Sequence, residues 1–353
     1  MPRGANTQTR DFVYDSTTQR LSSATNPENG TVSYTYNADG TLASKTDAKN
    51  QTETYTYDQY GRLTAIPQRQ QAFTYDTCPS GDSFCTSTPG QLVESTFYSP
   101  PPYLGPNSLM FQYDYTYTPA GKVAGKSLTL QSMNHLHMGG GYAYGTLGIS
   151  YSYDNQGALT SMIYPTEGTW AISPTQTFNY TLDAMERPTA LADSWSDHRT
   201  PTTYASGVTY NAANETSFGG RTYNSLFQLT QVGSLTYNYS ANQNNGQITS
   251  VHDAASGETI TYTYDALKRL SSATAQNWSE NYTYDGFGNL TQMTPTGGAP
   301  SLSVSVDAAT NRILPSGATY DNNGNMNPGL GTTLTYDSAN RISQAQVSGN
   351  SAY

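Results

Sequence analysis

The sequence predicts an all-β fold in which β-hairpins repeat along one curved sheet. The first indication is composition, because 30 of the 353 residues are tyrosine and only 12% are charged. Such a mixture suits sheets with one solvated face, which are held together by aromatic contacts and hydroxyl hydrogen bonds. The second indication is a short tyrosine motif that recurs about every twenty residues. The third is that no long segment has the three-and-four apolar spacing of an amphipathic helix.

Residues 260–274, Ile-Thr-Tyr-Thr-Tyr-Asp-Ala-Leu-Lys-Arg-Leu-Ser-Ser-Ala-Thr, show the repeat unit most clearly. Their apolar side chains alternate with threonines as far as Tyr264, which is the pattern of a strand with one apolar face. We expect Asp265 to open the turn by accepting bonds from nearby backbone amides, and Leu270 to anchor the return strand. An isolated hairpin is marginal in water, so this unit needs copies of itself alongside.

Copies of the unit follow the consensus aromatic-x-Tyr-Asp/Asn-x-x-Gly-x-Leu. Gly40 and Gly61 stand at the consensus glycine, where a hairpin turn requires a positive φ. Tyrosine and leucine at matched positions are expected to stack from hairpin to hairpin, each cross-strand pair contributing about 0.2–1 kcal/mol. Full copies occupy residues 34–42, 55–63, 151–159 and 282–290, and degenerate copies are marked by Tyr14, Tyr75, Tyr210, Tyr237, Tyr320 and Tyr336. The structural positions that we select from the repeats are Tyr36, Tyr57, Tyr153, Tyr264, Asp265, Leu270, Tyr284, Asp285, Gly288 and Tyr336.

This pattern closely resembles the YD repeat of the Rhs (rearrangement hotspot) family, which is shared with bacterial toxin-complex C subunits and animal teneurins. The resemblance covers nearly the whole chain, because about a dozen units keep the same frame. It implies hairpins that spiral into a hollow β-shell, and in the toxin members that shell encloses a cytotoxic domain. The terminal Asp-Pro-x-Gly motif of the toxin members has no counterpart in this sequence.

We expect a single repeat array over residues 11–345, with residues 1–10 and 346–353 as the cut ends of a longer array. Three stretches interrupt the motif and are predicted to be inserted loops. The first is rich in proline, which cannot donate a hydrogen bond to a strand ladder. The predicted loops cover about residues 78–106, 131–146 and 165–205.

The charge balance limits the classes of partner. A formal net charge of −10 argues against DNA, RNA or an anionic membrane surface as the main partner. No run of about eighteen apolar residues is present, so we expect no membrane insertion. No motif in the sequence calls for a cofactor.

Cys78 and Cys85 are the only cysteines, and both lie in the first predicted loop. The low fraction of charged residues, the many Asn and Thr residues and the resemblance to Rhs proteins all indicate an exported protein. We therefore expect a local disulfide between Cys78 and Cys85 that ties down the loop. Two free thiols are the alternative.

Two stretches resemble metal sites superficially. His135 and His137 alternate, with Met133 and Met138 close by, but two histidines do not complete a zinc or copper site. Residues 321–325, Asp-Asn-Asn-Gly-Asn, lack the glycine spacing and closing glutamate of a calcium loop, and an Asn-Gly hairpin turn explains them better. We predict no metal.

Two other stretches bring together residue types found in catalytic triads. Residues 193–199 gather Asp, Ser and His198, and His252 adjoins Asp253. Triad members converge in space and are seldom sequence neighbours, and no Gly-x-Ser-x-Gly elbow accompanies them. We therefore expect a protein that is not an enzyme.

The sequence favours a structural function, as the wall of a secreted or surface-exposed bacterial Rhs-like protein. That wall is expected to enclose an effector domain of the same parent protein or to build an extracellular assembly, with self-association through open sheet edges as a further route. The alternative is a surface adhesin whose inserted loops bind carbohydrate by aromatic stacking. The stacking platforms in that case would be Trp170, Trp195 and Trp278.

Overall fold

The computed structural model describes residues 2–3, 6–80, 82, 84–98, 109–132, 143–164, 175–197, 199–314, 317–329, 331–347 and 350–352. Within this part of the chain the only helix is the short 3-10 turn Pro67–Arg69, and all other regular structure is β-strand. The predicted all-β array of hairpins is confirmed. No helix in these ranges has the length and apolar character needed to span a bilayer.

The chain divides into two compact units. One unit combines Met1–Thr9 with Ala205–Ser316, and the other combines Arg10–Tyr204 with Gly317–Tyr353. Both are built from hairpins, so this division does not decide whether residues 11–345 form one array, which stays a prediction.

The strands follow one another as antiparallel meanders, in which each strand pairs with its neighbours in sequence. A short hairpin is formed by β1 Pro2–Arg3 and β2 Asn6–Thr7. The first sheet contains β3 Asp11–Tyr14, β4 Leu21–Asn26, β5 Gly30–Tyr36, β6 Leu42–Thr46 and β7 Thr52–Thr54. The second contains β8 Thr56–Tyr57, β9 Leu63–Ile66, β10 Gln71–Tyr75, β11 Leu92–Tyr98, β12 Leu109–Tyr117, β13 Val123–Ser132, β14 Ala143–Tyr153, β15 Leu159–Tyr164, β16 Gln176–Leu182, β17 Pro188–Trp195 and β18 Thr203–Ala205.

The remaining strands continue the same pattern. The third sheet contains β19 Thr222–Tyr223, β20 Leu229–Val232, β21 Leu235–Tyr239, β22 Ile248–Asp253, β23 Glu258–Tyr264, β24 Leu270–Thr274, β25 Ser279–Tyr284, β26 Leu290–Pro295 and β27 Leu302–Ser303. A two-stranded sheet contains β28 Thr319–Tyr320 and β29 Met326–Asn327, and the last sheet contains β30 Thr332–Tyr336, β31 Ile342–Val347 and β32 Asn350–Ala352.

The apolar core of the described residues is thin. The fully buried hydrophobic side chains are few and mostly small, whereas several polar and charged side chains are equally buried. Stability must therefore come from strand ladders, half-buried tyrosines and polar networks rather than from a compact interior. The buried hydrophobic residues are Ala24, Ile66, Val93, Val208 and Ala273, and the buried polar ones are Gln8, Asp47, Glu53, Asp114, Ser127, Asp193 and Asn323.

The predicted loops are shorter in the structure than the sequence suggested. The interval 78–106 contains strand β11, and the interval 165–205 contains β16, β17 and β18. The hairpin β16–β17 escaped notice because Leu182 replaces the second tyrosine of the motif and Glu186 replaces the glycine, with φ 62°. Strand β13 extends to Ser132 and strand β14 begins at Ala143, so both ends of the predicted loop 131–146 belong to strands. The residues between these strands lie outside the described residues.

Candidate functional site

The turn of the hairpin β23–β24 shows how the motif builds its reversal. The Asp265 N–H donates to the Arg269 carbonyl over 2.9 Å, and the Lys268 N–H donates back to the Asp265 carbonyl over 2.9 Å. Asp265 Oδ1 accepts the N–H groups of Leu267 and Arg269, at 2.8 and 2.9 Å. The backbone hydrogen bond from Arg269 is the largest cause that lowers the pKa of Asp265 below its ordinary value. The motif carboxylate therefore forms an Asx turn and stays ionised at neutral pH.

A bulge follows the turn. A register shift directly before Tyr264 adds one residue to the return strand, so that Tyr264 lies opposite Leu270. The main-chain bonds that close the turn join Asp265 and Arg269, so the next pair, Tyr264 and Leu270, is not bonded within the hairpin. The carbonyl of Leu270 is thereby turned towards the neighbouring hairpin. The same shift occurs beside Tyr14, Tyr36, Tyr57, Tyr117, Tyr153, Tyr223, Tyr239, Tyr284 and Tyr336.

At eight junctions in the described structure, the second tyrosine of the motif joins a hairpin to the one before it. Tyr264 Oη donates to the Ile248 carbonyl over 2.8 Å, and Tyr284 Oη donates to the Leu270 carbonyl over 2.9 Å. In each case the acceptor is the first residue of the preceding return strand. We name these bonds the tyrosine seam, and its donor–acceptor pairs are Tyr36–Leu21, Tyr57–Leu42, Tyr117–Leu92, Tyr153–Val123, Tyr239–Leu229, Tyr264–Ile248, Tyr284–Leu270 and Tyr336–Met326.

Burial raises the pKa of four seam phenols, those of Tyr117, Tyr239, Tyr264 and Tyr336, above the ordinary tyrosine value. A protonated phenol can donate its hydrogen to a carbonyl, whereas a phenolate cannot. These four phenols therefore remain hydrogen-bond donors at neutral pH.

Reasoning from the sequence selected the seam tyrosines as stacking residues and missed their hydroxyl bonds. A signal was available in the repeats themselves. In the copies whose first position is Phe12, Phe73 or Leu334, the second position is still tyrosine. Phenylalanine would stack equally well, so this preference for tyrosine indicates a use for the hydroxyl group; the hairpin β16–β17, which has Leu182 at this position, is an exception.

The fourth residue of the turn adopts the left-handed backbone conformation whatever its identity. Gly288 has φ 96° and Lys268 has φ 64°. Glycine reaches this region without strain, whereas a side chain makes it costly. The consensus glycine is therefore a backbone requirement of the turn.

We expect Gly288→Val to lower the free energy of unfolding by about 2 kcal/mol, because a β-branched residue is strained at positive φ. A Cβ atom at Gly288 would meet nothing within 4 Å, so the cost comes from the backbone alone. Urea unfolding followed by circular dichroism measures it. Gly288→Asn serves as the control and should lose less than half as much, since asparagine tolerates this conformation; equal losses for both variants would contradict the backbone explanation.

The two cysteines are joined in the structure. Cys78 and Cys85 form a disulfide with their Cα atoms 5.9 Å apart. His135, His137, Met133 and Met138 lie outside the described residues. Among the residues that the structure describes, no group of three or more His, Cys, Asp or Glu side chains is placed to hold a metal ion.

The triad-like stretches are occupied by structural contacts. Asp193 is buried and accepts hydrogen bonds from the Thr202 N–H, the Tyr204 hydroxyl and the side chains of Gln176 and Trp195, which ties β17 to β16, to β18 and to the residue before β18. His252 Nδ1 lies 3.0 Å from Thr259 Oγ1 on the neighbouring strand. His198 lies outside the described residues.

The tryptophans and the calcium-like stretch also make local contacts. Arg199 stacks over the Trp195 ring at 4.5 Å, and Trp278 Nε1 donates to Glu258 over 2.8 Å. Trp170 lies outside the described residues. Asp321 forms a turn through the Asn325 N–H and an ion pair with Lys49 at 3.1 Å.

Comparison with known proteins identifies the repeat. The family model described as RHS Repeat matches residues 36–66 and 244–277. Among curated proteins, no sequence matches this chain.

Solved structures match over most of the chain. A Tc holotoxin pore from Photorhabdus luminescens has a TM-score of 0.71 and 17% identity, covering 94% of this chain and 18% of that one. Crystal structures of TcdB2-TccC3-Cdc42 and TcdB2-TccC3-TEV have TM-scores of 0.72 and 0.70, each with 17% identity over 97% of this chain and 19% of that one. This chain therefore shares their fold and spans about a fifth of their length.

Proposed function

Because this chain carries matches to the RHS repeat and shares the fold of the toxin-complex structures, we propose that it forms part of the wall of a YD-repeat shell and that the wall encloses an effector polypeptide. The role is structural and involves no catalysis. The low fraction of charged residues and the Cys78–Cys85 disulfide support a secreted or cell-surface location, since disulfides persist in oxidising compartments.

The tyrosine seam is the observation that carries the proposal. The same donor and the same acceptor recur at eight junctions between hairpins. Each junction supplies a hydrogen bond worth about 1 kcal/mol in addition to strand pairing. Hairpins can therefore be added side by side without a compact core, which is what a thin wall requires.

The similar structures support the choice of cargo. Two of the solved structures that share this fold are complexes named TcdB2-TccC3-Cdc42 and TcdB2-TccC3-TEV. By analogy, the partner of this chain is a polypeptide held against the inner face of the wall. Its sequence belongs to the parent protein or to an associated chain.

Protease protection of the native protein, purified at full length, tests this function. We expect a polypeptide distinct from the repeats to survive digestion together with them. Replacing Tyr36, Tyr57 and Tyr153 by phenylalanine should weaken the wall, so that this polypeptide is digested at a protease concentration that spares it in the wild type. Tyr262→Phe is the matched control, because its hydroxyl makes no hydrogen bond to another described residue. If the wild-type repeats alone survive digestion, the wall has no cargo.

A further inference from the structure

The disulfide-bonded loop places its described residues against the polar face of the second sheet. This clasp loop, residues 78–85, is described at 78–80, 82, 84 and 85. Its following residue, Thr86, donates its N–H to the Tyr115 carbonyl on β12 over 3.4 Å, and Cys78 N–H donates to Ser87 Oγ over 3.0 Å. A cleft of about 420 Å³ lies between the loop and the sheet. The clasp loop is thus positioned as a cover over part of the sheet.

Phe84 anchors the cover in a depression made by two glycines. A Cβ atom at Gly125 would lie 3.1 Å from Phe84 Cζ, and one at Gly148 would lie 3.7 Å from Phe84 Cε2. A side chain at Gly125 would crowd both the Phe84 ring and Thr116, whereas a Cβ atom at Gly148 would make an ordinary contact with the ring. The glycine at position 125 therefore leaves room for the Phe84 side chain.

Asp82 brings a second contact from the loop. Its Oδ1 accepts the N–H groups of Phe84 and Cys85, at 2.8 and 3.1 Å. Its Oδ2 is buried and has no hydrogen-bond partner in the described structure. The neighbouring group is the carboxyl of Asp114 on β12, which is within hydrogen-bonding reach and only 3% exposed.

The surroundings of Asp114 supply donors but no positive charge. Gln112 Nε2 donates to its Oδ1 over 2.9 Å, and Ser127 Oγ donates to its Oδ2 over 3.1 Å. Glu94 on β11 lies directly opposite Asp114 in the ladder. The other lining residues from β13, β14 and the loop carry hydroxyl groups or no charge, and Lys126 points to the opposite face, over the Tyr113 ring. Three carboxyl groups therefore share this cleft without a basic partner among the described residues.

We propose that the clasp loop is a pH-sensitive lid, closed when a proton on Asp114 bonds Asp82 Oδ2 and loosened when that proton leaves. The disulfide limits the movement, because it keeps the two ends of the loop together. Opening the lid withdraws Phe84 from the glycine depression and exposes the polar cleft.

The direction of the pH effect follows from the burial. Burial raises the pKa of Asp114 despite the hydrogen bond from Gln112, and the Asp82 carboxylate raises it further. Burial also raises the pKa of Glu94, and the charge of Asp114 adds to that effect. The closed lid holds the proton more tightly than the open lid does. Closure is therefore fully stabilised below the ordinary aspartate pKa and weakens as the pH rises through the raised pKa of Asp114.

Reduction of the disulfide by a water-soluble trialkylphosphine reports on lid opening, because the phosphine must reach a sulfur atom of the half-buried bond. The reduction rate is measured from pH 4 to pH 8 for the wild type and for Asp82→Asn. Asparagine keeps the Oδ1 acceptor for the loop amides and offers its own N–H to Asp114, so this lid should stay closed at every pH. We expect the ratio of the wild-type reduction rate to the Asp82→Asn reduction rate to rise several-fold between pH 4 and pH 8, because Asp114, whose pKa is raised, loses its proton over this range.

Two further variants complete the test. Asp82→Ala, which can neither accept nor donate, should be reduced quickly at all pH values. Asp39→Asn changes a turn carboxylate elsewhere and should follow the wild type. Circular dichroism shows whether each variant is folded, and hydrogen exchange of the Thr86 amide gives an independent readout of loop opening. If the ratio of the wild-type reduction rate to the Asp82→Asn reduction rate stays constant over the whole pH range while both proteins are folded, the proposal of a pH-sensitive lid is wrong.

Discussion

The double variant Tyr264→Phe/Tyr284→Phe is expected to lower the free energy of unfolding by about 2 kcal/mol, about 1 kcal/mol for each lost hydrogen bond. The two phenols donate to different carbonyls, those of Ile248 and Leu270, so the double variant removes two separate hydrogen bonds. Phenylalanine preserves the ring contacts and removes only the hydroxyl group. Urea unfolding followed by circular dichroism measures the loss.

Tyr262→Phe provides the matched control for this variant. Tyr262 lies two residues before Tyr264 on the same strand, and its hydroxyl makes no hydrogen bond to another described residue. We expect its loss to stay below about 0.5 kcal/mol. If Tyr262→Phe loses as much stability as each seam substitution does, the seam hydrogen bonds contribute nothing specific.

We also expect the hydrogen bonds of the tyrosine seam to be lost in alkaline solution. Burial raises the pKa of Tyr264 above the ordinary tyrosine value of about 10, so the folded chain holds the phenolic proton more tightly than the unfolded chain. The stability is therefore complete below about pH 10 and is lost as the pH rises through the raised pKa. The double variant should lose less stability over this pH range than the wild type, which unfolding curves at pH 9 and above can measure.

The variant Asn323→Asp is expected to lower the free energy of unfolding by about 3 kcal/mol at pH 7. Asn323 Nδ2 donates to Asp47 Oδ2 over 2.6 Å, and each of these residues is only 8% exposed. The substitution replaces the donor with a carboxylate that faces another buried carboxylate. Thermal unfolding at pH 7 measures the effect.

The pH dependence distinguishes charge repulsion from loss of shape. Asp47 raises the pKa of the introduced carboxyl group, so the folded chain takes up its proton more readily as the pH falls, and the lost stability should return in part by pH 4.5. Asn323→Ala, which removes the hydrogen bonds without adding charge, should lose about 1 kcal/mol at both pH values. A deficit of Asn323→Asp that is the same at pH 4.5 and pH 7 would contradict the explanation by charge.

The hairpin itself could be predicted from the sequence because its causes are local. Alternation up to Tyr264, the turn carboxylate Asp265 and the apolar anchor Leu270 lie within a few residues of one another. Their spacing specifies strand, turn and return strand. Repetition of that spacing then predicts neighbouring hairpins in one sheet.

Other features could not be predicted because their causes are distant or concealed. The contact between Asp47 and Asn323 joins two ordinary turn residues that are 276 positions apart in the sequence. Nothing in the local sequence of either turn indicates which residue it contacts. The hairpin at Leu182 and Glu186 is concealed because it keeps the geometry of the motif while losing its signature residues. The reach of a phenol to a carbonyl depends on the bulge, which alternation alone does not reveal.

The most direct measurement of the central claim is electron cryo-microscopy of the full-length native protein. We predict that the hairpins appear as a continuous wall, with the seam tyrosines bridging neighbouring hairpins and with density for a second polypeptide on its inner side. Hairpins that do not continue from one to the next, or a wall with solvent on both faces, would contradict the account.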